Sequence, residues 1–265
     1  MSASQKIAAC VHSPRLVWKV LALILLLFVL TLLSGYTANF YAHQKAEKLL
    51  LQIRTLEAGR TTVDEAHRIV QHFGGEEYDA RTYYGHMGSD ARYVLPNPCL
   101  GDDLSYAINI RPPRAILWAI EKFPELQHLG WHPWYVGLMI HHKNRKVTCY
   151  SQIVGFVRPD GQEVGAEADL DQRNPEGLVE QQQYKANSFI SRHQYHETHV
   201  RVLSEASDQE KHRAFTMDLA CTISLHGCVY PCEIIPLGWL DNVRDHESRG
   251  LEMPEGANDP RCPAH

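Results

Sequence analysis

From Val20 to Leu33 the chain carries no charged residue, and Leu16, Val17, Trp18, Ser34 and Gly35 extend the apolar stretch to Tyr36. A stretch this apolar has to be buried, either in a protein core or in a lipid bilayer. About 20 mostly apolar residues cross a hydrocarbon core, and residues 16–36 match that length. Trp18 and Tyr36 stand where interfacial aromatics belong, and Lys19 can carry its ammonium out to the headgroups along its alkyl stem. The competing reading is a cleaved signal peptide. Its exit is poor, because Tyr36 would occupy the third position before a cut after Ala38. An uncleaved membrane anchor over residues 16–36 is therefore expected, contacting the lipid bilayer, with residues 1–15 as a cytoplasmic stub. Lys6, Arg15 and Lys19 precede the span, and Lys45 and Lys48 follow it. By the positive-inside rule this keeps the N-terminus in the cytoplasm and puts the chain from about Asn39 outside it, in the periplasm if there are two membranes.

Cysteine placement agrees with export. Cys10 alone precedes the span, whereas Cys99, Cys149, Cys221, Cys228, Cys232 and Cys262 follow it. An oxidising compartment allows them to form up to three bridges. Cys221, Cys228 and Cys232 form the close cluster, and one local bridge among them is expected.

The chain is mildly acidic, with 26 Lys and Arg against 31 Asp and Glu, and has no basic block. It lacks the electrostatic footprint of a nucleic-acid binder, and no internal repeat points to a solenoid or propeller.

Beyond the span, Ala46, Leu49, Leu50, Ile53 and Leu56 recur at helical spacing, with Gly59 as the expected stop. Thr61 or Thr62, with Asp64 or Glu65 three residues on, forms a capping box for a second helix. Val63, Ala66, Ile69, Val70 and Phe73 make that helix's apolar stripe, and Gly74-Gly75 ends it. Residues 44–75 thus read as a helical hairpin. Residues 76–244 read as mainly antiparallel β structure. Strands are expected at Leu104 to Ile110, Trp134 to His141, Val147 to Val157, His193 to Leu203 and Phe215 to Ile223, with a short helix opened by Pro113. The polar turn Lys143-Asn144-Arg145 marks a hairpin. Asp160 to Asn187 reads as a long loop, and residues 245–265 as a loosely ordered tail.

The segment Leu51-x-Ile53-x-x-Leu56-x-x-Gly59-x-Thr61-x-x-Asp64-Glu65-Ala66, ending in Phe73-Gly74-Gly75, resembles the opening of SmpA/OmlA-type envelope proteins. The resemblance covers residues 46–75 and implies two short helices followed by a small antiparallel sheet. That family consists mainly of outer-membrane lipoproteins, and Tyr36 stands here where a lipidated cysteine would be. The pattern Asp218-Leu219-x-Cys221, Gly227-Cys228 and Glu233-Ile234-Ile235-Pro236-x-x-Trp239, taken with that opening, is similar to single-span bacterial envelope proteins. This second likeness implies a location and no activity.

Candidate chemistry is sparse. His193-x-x-His196-x-x-His199, with Glu197 inside it, would share one face on a helix and could hold a metal. Tyr195, Thr198, Val200 and Val202 favour a strand, which separates His196 from the other two. His196-Glu197-Thr198-His199 also misses H-E-x-x-H by one residue. His141-His142 ends a strand with its side chains opposed. Cys228 and Cys232 are one residue too far apart for the thioredoxin-type C-x-x-C, and zinc binding with Cys221 and His226 competes with a disulfide. Gly101-Asp102-Asp103 and Asp169-x-Asp171 lack the remaining ligands of a Ca²⁺ loop. Trp131, Trp134 and Tyr135 suit edge packing better than a groove. The expectation is an α+β envelope protein with one transmembrane helix and a helical hairpin on an antiparallel sheet. It acts as a non-enzymatic binding or assembly module with a possible envelope protein partner and no cofactor. The alternative is a metal-dependent enzyme using His193, His196 and His199.

Overall fold

The computed structural model describes residues 14–78, 104–171, 180–187, 194–203, 206–250, 253 and 257–263. Its first element, α1 (Pro14–Ile53), is a single helix of 40 residues with two characters. From Val17 to Leu30 its apolar side chains are exposed on every side, as in a helix that meets no core. From Leu32 onward a stripe turns inward at intervals of three and four: Leu32, Gly35, Asn39, Ala42, His43, Ala46, Leu49, Leu50 and Ile53. This is the period of an amphipathic helix. The first half is long and apolar enough to cross a membrane.

The helix ends at Ile53, not at Gly59. Gly59 instead makes the following turn at φ 77°, and its N–H donates to the Val147 carbonyl at 2.7 Å. The second helix, α2 (Val63–Phe73), starts on a complete capping box. Glu65 N–H donates to Thr62 Oγ1 at 3.3 Å, and Thr62 N–H donates to Glu65 Oε2 at 2.8 Å. Each donor would otherwise be an orphan of the first turn. Gly74 closes the helix in the left-handed region, at φ 70°.

Seven strands make one sheet in the order β1-β2-β3-β4-β5-β7-β6. These are β1 (Glu76–Tyr78), β2 (Leu104–Ile110), β3 (Trp134–Lys143), β4 (Lys146–Val157), β5 (Glu163–Asp171), β6 (Glu180–Asn187) and β7 (Gln194–Leu203). The first five are antiparallel. The hairpin between β3 and β4 turns at Asn144 and Arg145, both at positive φ, the geometry that matches strand twist in a two-residue loop. The fifth strand pairs with β7 in parallel, and β6 then returns antiparallel on the outer edge. A purely antiparallel sheet is therefore corrected at this one junction.

Even-numbered positions of the central strands face the core: Trp134, Val136, Leu138 and Ile140; Tyr150, Gln152, Val154 and Phe156; Val164, Ala166, Ala168 and Leu170; Thr198, Val200 and Val202. With Leu49, Leu50 and Ile53 of α1, and Ala66, Val70 and Phe73 of α2, most of these form one buried cluster. The expected loop at Asp160 to Asn187 is corrected by β5 and β6. The period of two is present in β5, but alanine fills half of its inward positions. The expected strand at Phe215 to Ile223 is also corrected. Phe215 ends α4 (Asp208–Phe215), which begins on a Ser207–Glu210 capping box, and Ala220–Ile223 is a 3-10 turn.

Between β2 and β3 lie α3 (Arg114–Lys122) and a 3-10 turn, Pro124–Leu129. Ile116, Ile120 and Trp131 form a separate apolar cluster there, with Leu32 and Ala38 of α1 packed against it. The last helix, α5 (Pro236–Arg249), buries Trp239 and Val243 with Cys232, Ala257 and Cys262. In the stretch expected to be loosely ordered, the helix thus runs to Arg249 and Cys262 is buried.

Candidate functional site

A cleft of about 880 Å³ opens between the end of α1 and α4. Its floor is apolar. Tyr150 and Phe215 meet there with ring centroids 5.0 Å apart, beside Leu56 and Leu170. Tyr150 also donates through its hydroxyl to the Leu56 carbonyl at 3.3 Å, and burial pushes its phenol well above the ordinary value. It is a fixed donor, not an acid. The walls carry Arg54, Glu57 and Arg60 from one side and Asp208, Lys211 and His212 from the other. Arg60 is held by Glu57 at 2.9 Å. Arg54 and Lys211 have no ion-pair partner among the described residues. Two cations without an ion-pair partner on the walls of a mainly polar cleft suit a ligand that carries a carboxylate or phosphate.

Local sequence explains the placement. The capping box at Ser207 starts α4 and sets Lys211 one turn inside it. The end of α1 at Ile53 puts Arg54 at the opposite rim. Glu210 is held below the usual carboxylate range by hydrogen bonds from the Ser207 hydroxyl and N–H, so it stays an acceptor. Sequence reading missed this cleft because its walls come from segments about 150 positions apart, although Ser207-x-x-Glu210 signals the helix as clearly as Thr62-x-x-Glu65 does.

The histidine run is a strand. His196 pairs with Val164 and His199 with Glu167 in the parallel ladder, three positions apart on β7. His193 lies outside the described residues, as do Gly101, Asp102 and Asp103. Among the described residues no group of three His, Cys, Asp or Glu is placed to hold a metal ion. His141 and His142 diverge: His141 is hydrogen-bonded through Nδ1 to Ser105 Oγ at 2.6 Å, and His142 lies by the Tyr106 ring at 5.2 Å. Ser105 and His141 are enclosed, at 0% and 1% exposure, so the pair is structural rather than a nucleophile with its base.

With both cysteines among the described residues, two pairs sit at disulfide distance. The local bridge is Cys221–Cys228, with a Cα separation of 4.9 Å. The second, Cys232–Cys262, spans 30 positions with a Cα separation of 5.4 Å. Cys149 is also disulfide-bonded. Cys228 and Cys232 therefore belong to different bridges and form no redox pair with each other. His226 is an exposed turn residue next to Gly227.

Trp131 and Trp134 are buried, and Trp134 Nε1 donates to Asn39 Oδ1 at 3.0 Å. His43 Nε2 donates to the Leu219 carbonyl at 3.0 Å. These two bonds fix α1 to the sheet and to the C-terminal part. His132 is tied to the Ser224 carbonyl at 2.9 Å, and burial lowers its basicity. Gln152 is fully buried on the core face with neither amide atom hydrogen-bonded among the described residues. Nothing in the structure explains its presence there. No family model, curated protein or solved structure matches the chain.

Proposed function

We propose that the protein is a membrane-anchored binding or assembly module of a bacterial cell envelope. Its helical hairpin and sheet form the extracytoplasmic part, the stub before α1 stays in the cytoplasm, and the module works without catalysis of its own. The observation that carries this reading is the continuity of α1. One unbroken helix exposes an uninterrupted apolar surface from Val20 to Leu30 and is built into the domain core over its second half. Such a joint transmits orientation, because no flexible linker separates anchor from domain. At 1.5 Å per residue, the cleft at Arg54 stands roughly 25 Å beyond Tyr36. An assembly module would use that height to meet a partner at a set distance from the bilayer. The two cysteine pairs favour an oxidising compartment, and the uncommitted charges of Arg54 and Lys211 favour an acidic group on the partner.

The test is a photo-crosslinking side chain placed at Lys211 of the full chain in native membranes. A discrete adduct that is lost when Arg54→Glu is added supports the module. Absence of any adduct at that position, together with recovery of the purified chain with one metal ion and hydrolytic activity, would overturn it in favour of the enzyme.

A further inference from the structure

We infer that the segment from α3 to Leu129, with the turn carrying Leu225, docks into the headgroup boundary of the bilayer that α1 crosses. This rests on the reading of α1 as a membrane span. The argument is one of depth. The apolar stretch starts no earlier than Leu16, because Arg15 precedes it. About 20 residues of helix fill the hydrocarbon core, so the hydrocarbon ends close to Gly35. Trp131 touches the helix at that level. A Cβ built on Gly35 would lie 2.1 Å from the Trp131 ring, so the two surfaces meet without a gap. Leu32 and Ala38, one turn to either side, pack on the same cluster as Ile116 and Ile120 of α3. This part of the domain is therefore level with the membrane surface, and its outward face has lipid beside it.

That face has the right chemistry. Trp118 and Phe123 are each 58% exposed, and Leu225 is 62% exposed. Tyr36 stands next to Leu225, its hydroxyl 3.6 Å from the position a Cβ on Gly130 would take, with Leu225 at 3.4 Å from the same point. Large apolar side chains so exposed are costly in water, and aromatic rings are favoured at headgroup level. Arg114, at the start of α3, is exposed and suited to reach phosphate, whereas Lys122 at its other end is paired with Glu121 at 3.1 Å. The occupant is thus the lipid surface itself, continuous with the surface already covering Val17 to Leu30.

The experiment uses the full chain in nanodiscs made with phospholipids brominated near the headgroup end of the acyl chain. Tryptophan emission is compared among the native chain, Trp118→Phe and Trp18→Phe. The expected result is a loss of the Trp118 emission comparable to that of Trp18, with a Trp introduced as Phe123→Trp in Trp118→Phe behaving alike. Quenching of Trp18 without quenching of Trp118 or of the position 123 probe overturns the docking and leaves the span standing. If Trp18 also escapes quenching, the span reading fails and the docking falls with it. A Trp118 shielded from both the brominated lipid and aqueous iodide assigns the face to a protein partner and likewise overturns the proposal.

Discussion

Removing the Cys232–Cys262 bridge should destabilise the protein more than removing Cys221–Cys228, although the second lies nearer the main core. The reasoning is entropic. A cross-link restricts the unfolded chain in proportion to the logarithm of the loop it closes. The two loops span 30 and 7 positions. The chain-entropy relation then gives about 3.6 kcal/mol for the long bridge and about 2.3 kcal/mol for the short one. The difference of about 1.3 kcal/mol is roughly a tenfold change in the folding equilibrium. The long bridge also holds Ala257 and Cys262 against Trp239 and Val243, so its loss frees the segment after α5. The perturbations are Cys232→Ala with Cys262→Ala, and separately Cys221→Ala with Cys228→Ala, so that no free thiol is left to mispair. Both variants are unfolded with urea in mild detergent as full chains. The long-bridge variant should show the lower midpoint, with a slope that rises as the unfolded chain, freed of its cross-link, exposes more surface. A long-bridge variant that unfolds at the native midpoint, or above the short-bridge variant, refutes the reasoning.

Other outcomes follow from single side chains. Gln152→Met should raise stability by about 1–3 kcal/mol, because it removes an unpaired amide from an apolar face while conserving volume; a fall in the unfolding midpoint would show that the amide has a partner in the folded protein. Gly35→Leu should cost about 1–3 kcal/mol and shift Trp131 emission, since the new side chain overlaps the indole ring; unchanged emission would place Trp131 away from α1. The carboxyl of Asp259 is held at about 2 by hydrogen bonds from the Arg261 side chain and N–H. Its folded value lies below its unfolded value of about 3.9. It therefore contributes stability that is fully present above the unfolded value and is lost as pH falls toward 2. Thermal melts from pH 6 downward should decline less steeply in Asp259→Asn, and parallel curves would contradict the assignment.

Much of the fold is legible in local signals. The capping box at Thr62 and the left-handed Gly74 delimit α2, and alternation with a polar turn gives the β3–β4 hairpin. Other elements are hidden for definite reasons. In β5 the inward residues are Val164, Ala166, Ala168 and Leu170, and small side chains blur the alternation. Phe215, Met217 and Leu219 do alternate and are buried, but among the described residues they pair with no strand, and the Asp218 N–H donates to the Ile234 carbonyl, so a period of two marks an unladdered crossing there. The parallel pairing of β5 with β7 is set by which strand lies nearest after folding, and no local pattern encodes it. The same holds for Cys262, whose partner sits before α5, and for the cleft, whose opposite walls come from the turn after α1 and from α4. The apolar helix over residues 16–36 is legible from its length and composition. That it continues without a break to Ile53 follows from packing against the sheet.

The central claim is that α1 anchors a domain lying outside the cytoplasm. Its most direct test is treatment of intact cells, with any outer membrane permeabilised, with a protease that cannot cross the inner membrane. The account predicts digestion of the domain and a small membrane-bound fragment, resistant to alkaline extraction, that contains Leu16 to Tyr36. A chain that stays whole until the cells are lysed, or that leaves the membrane in alkali, would contradict it.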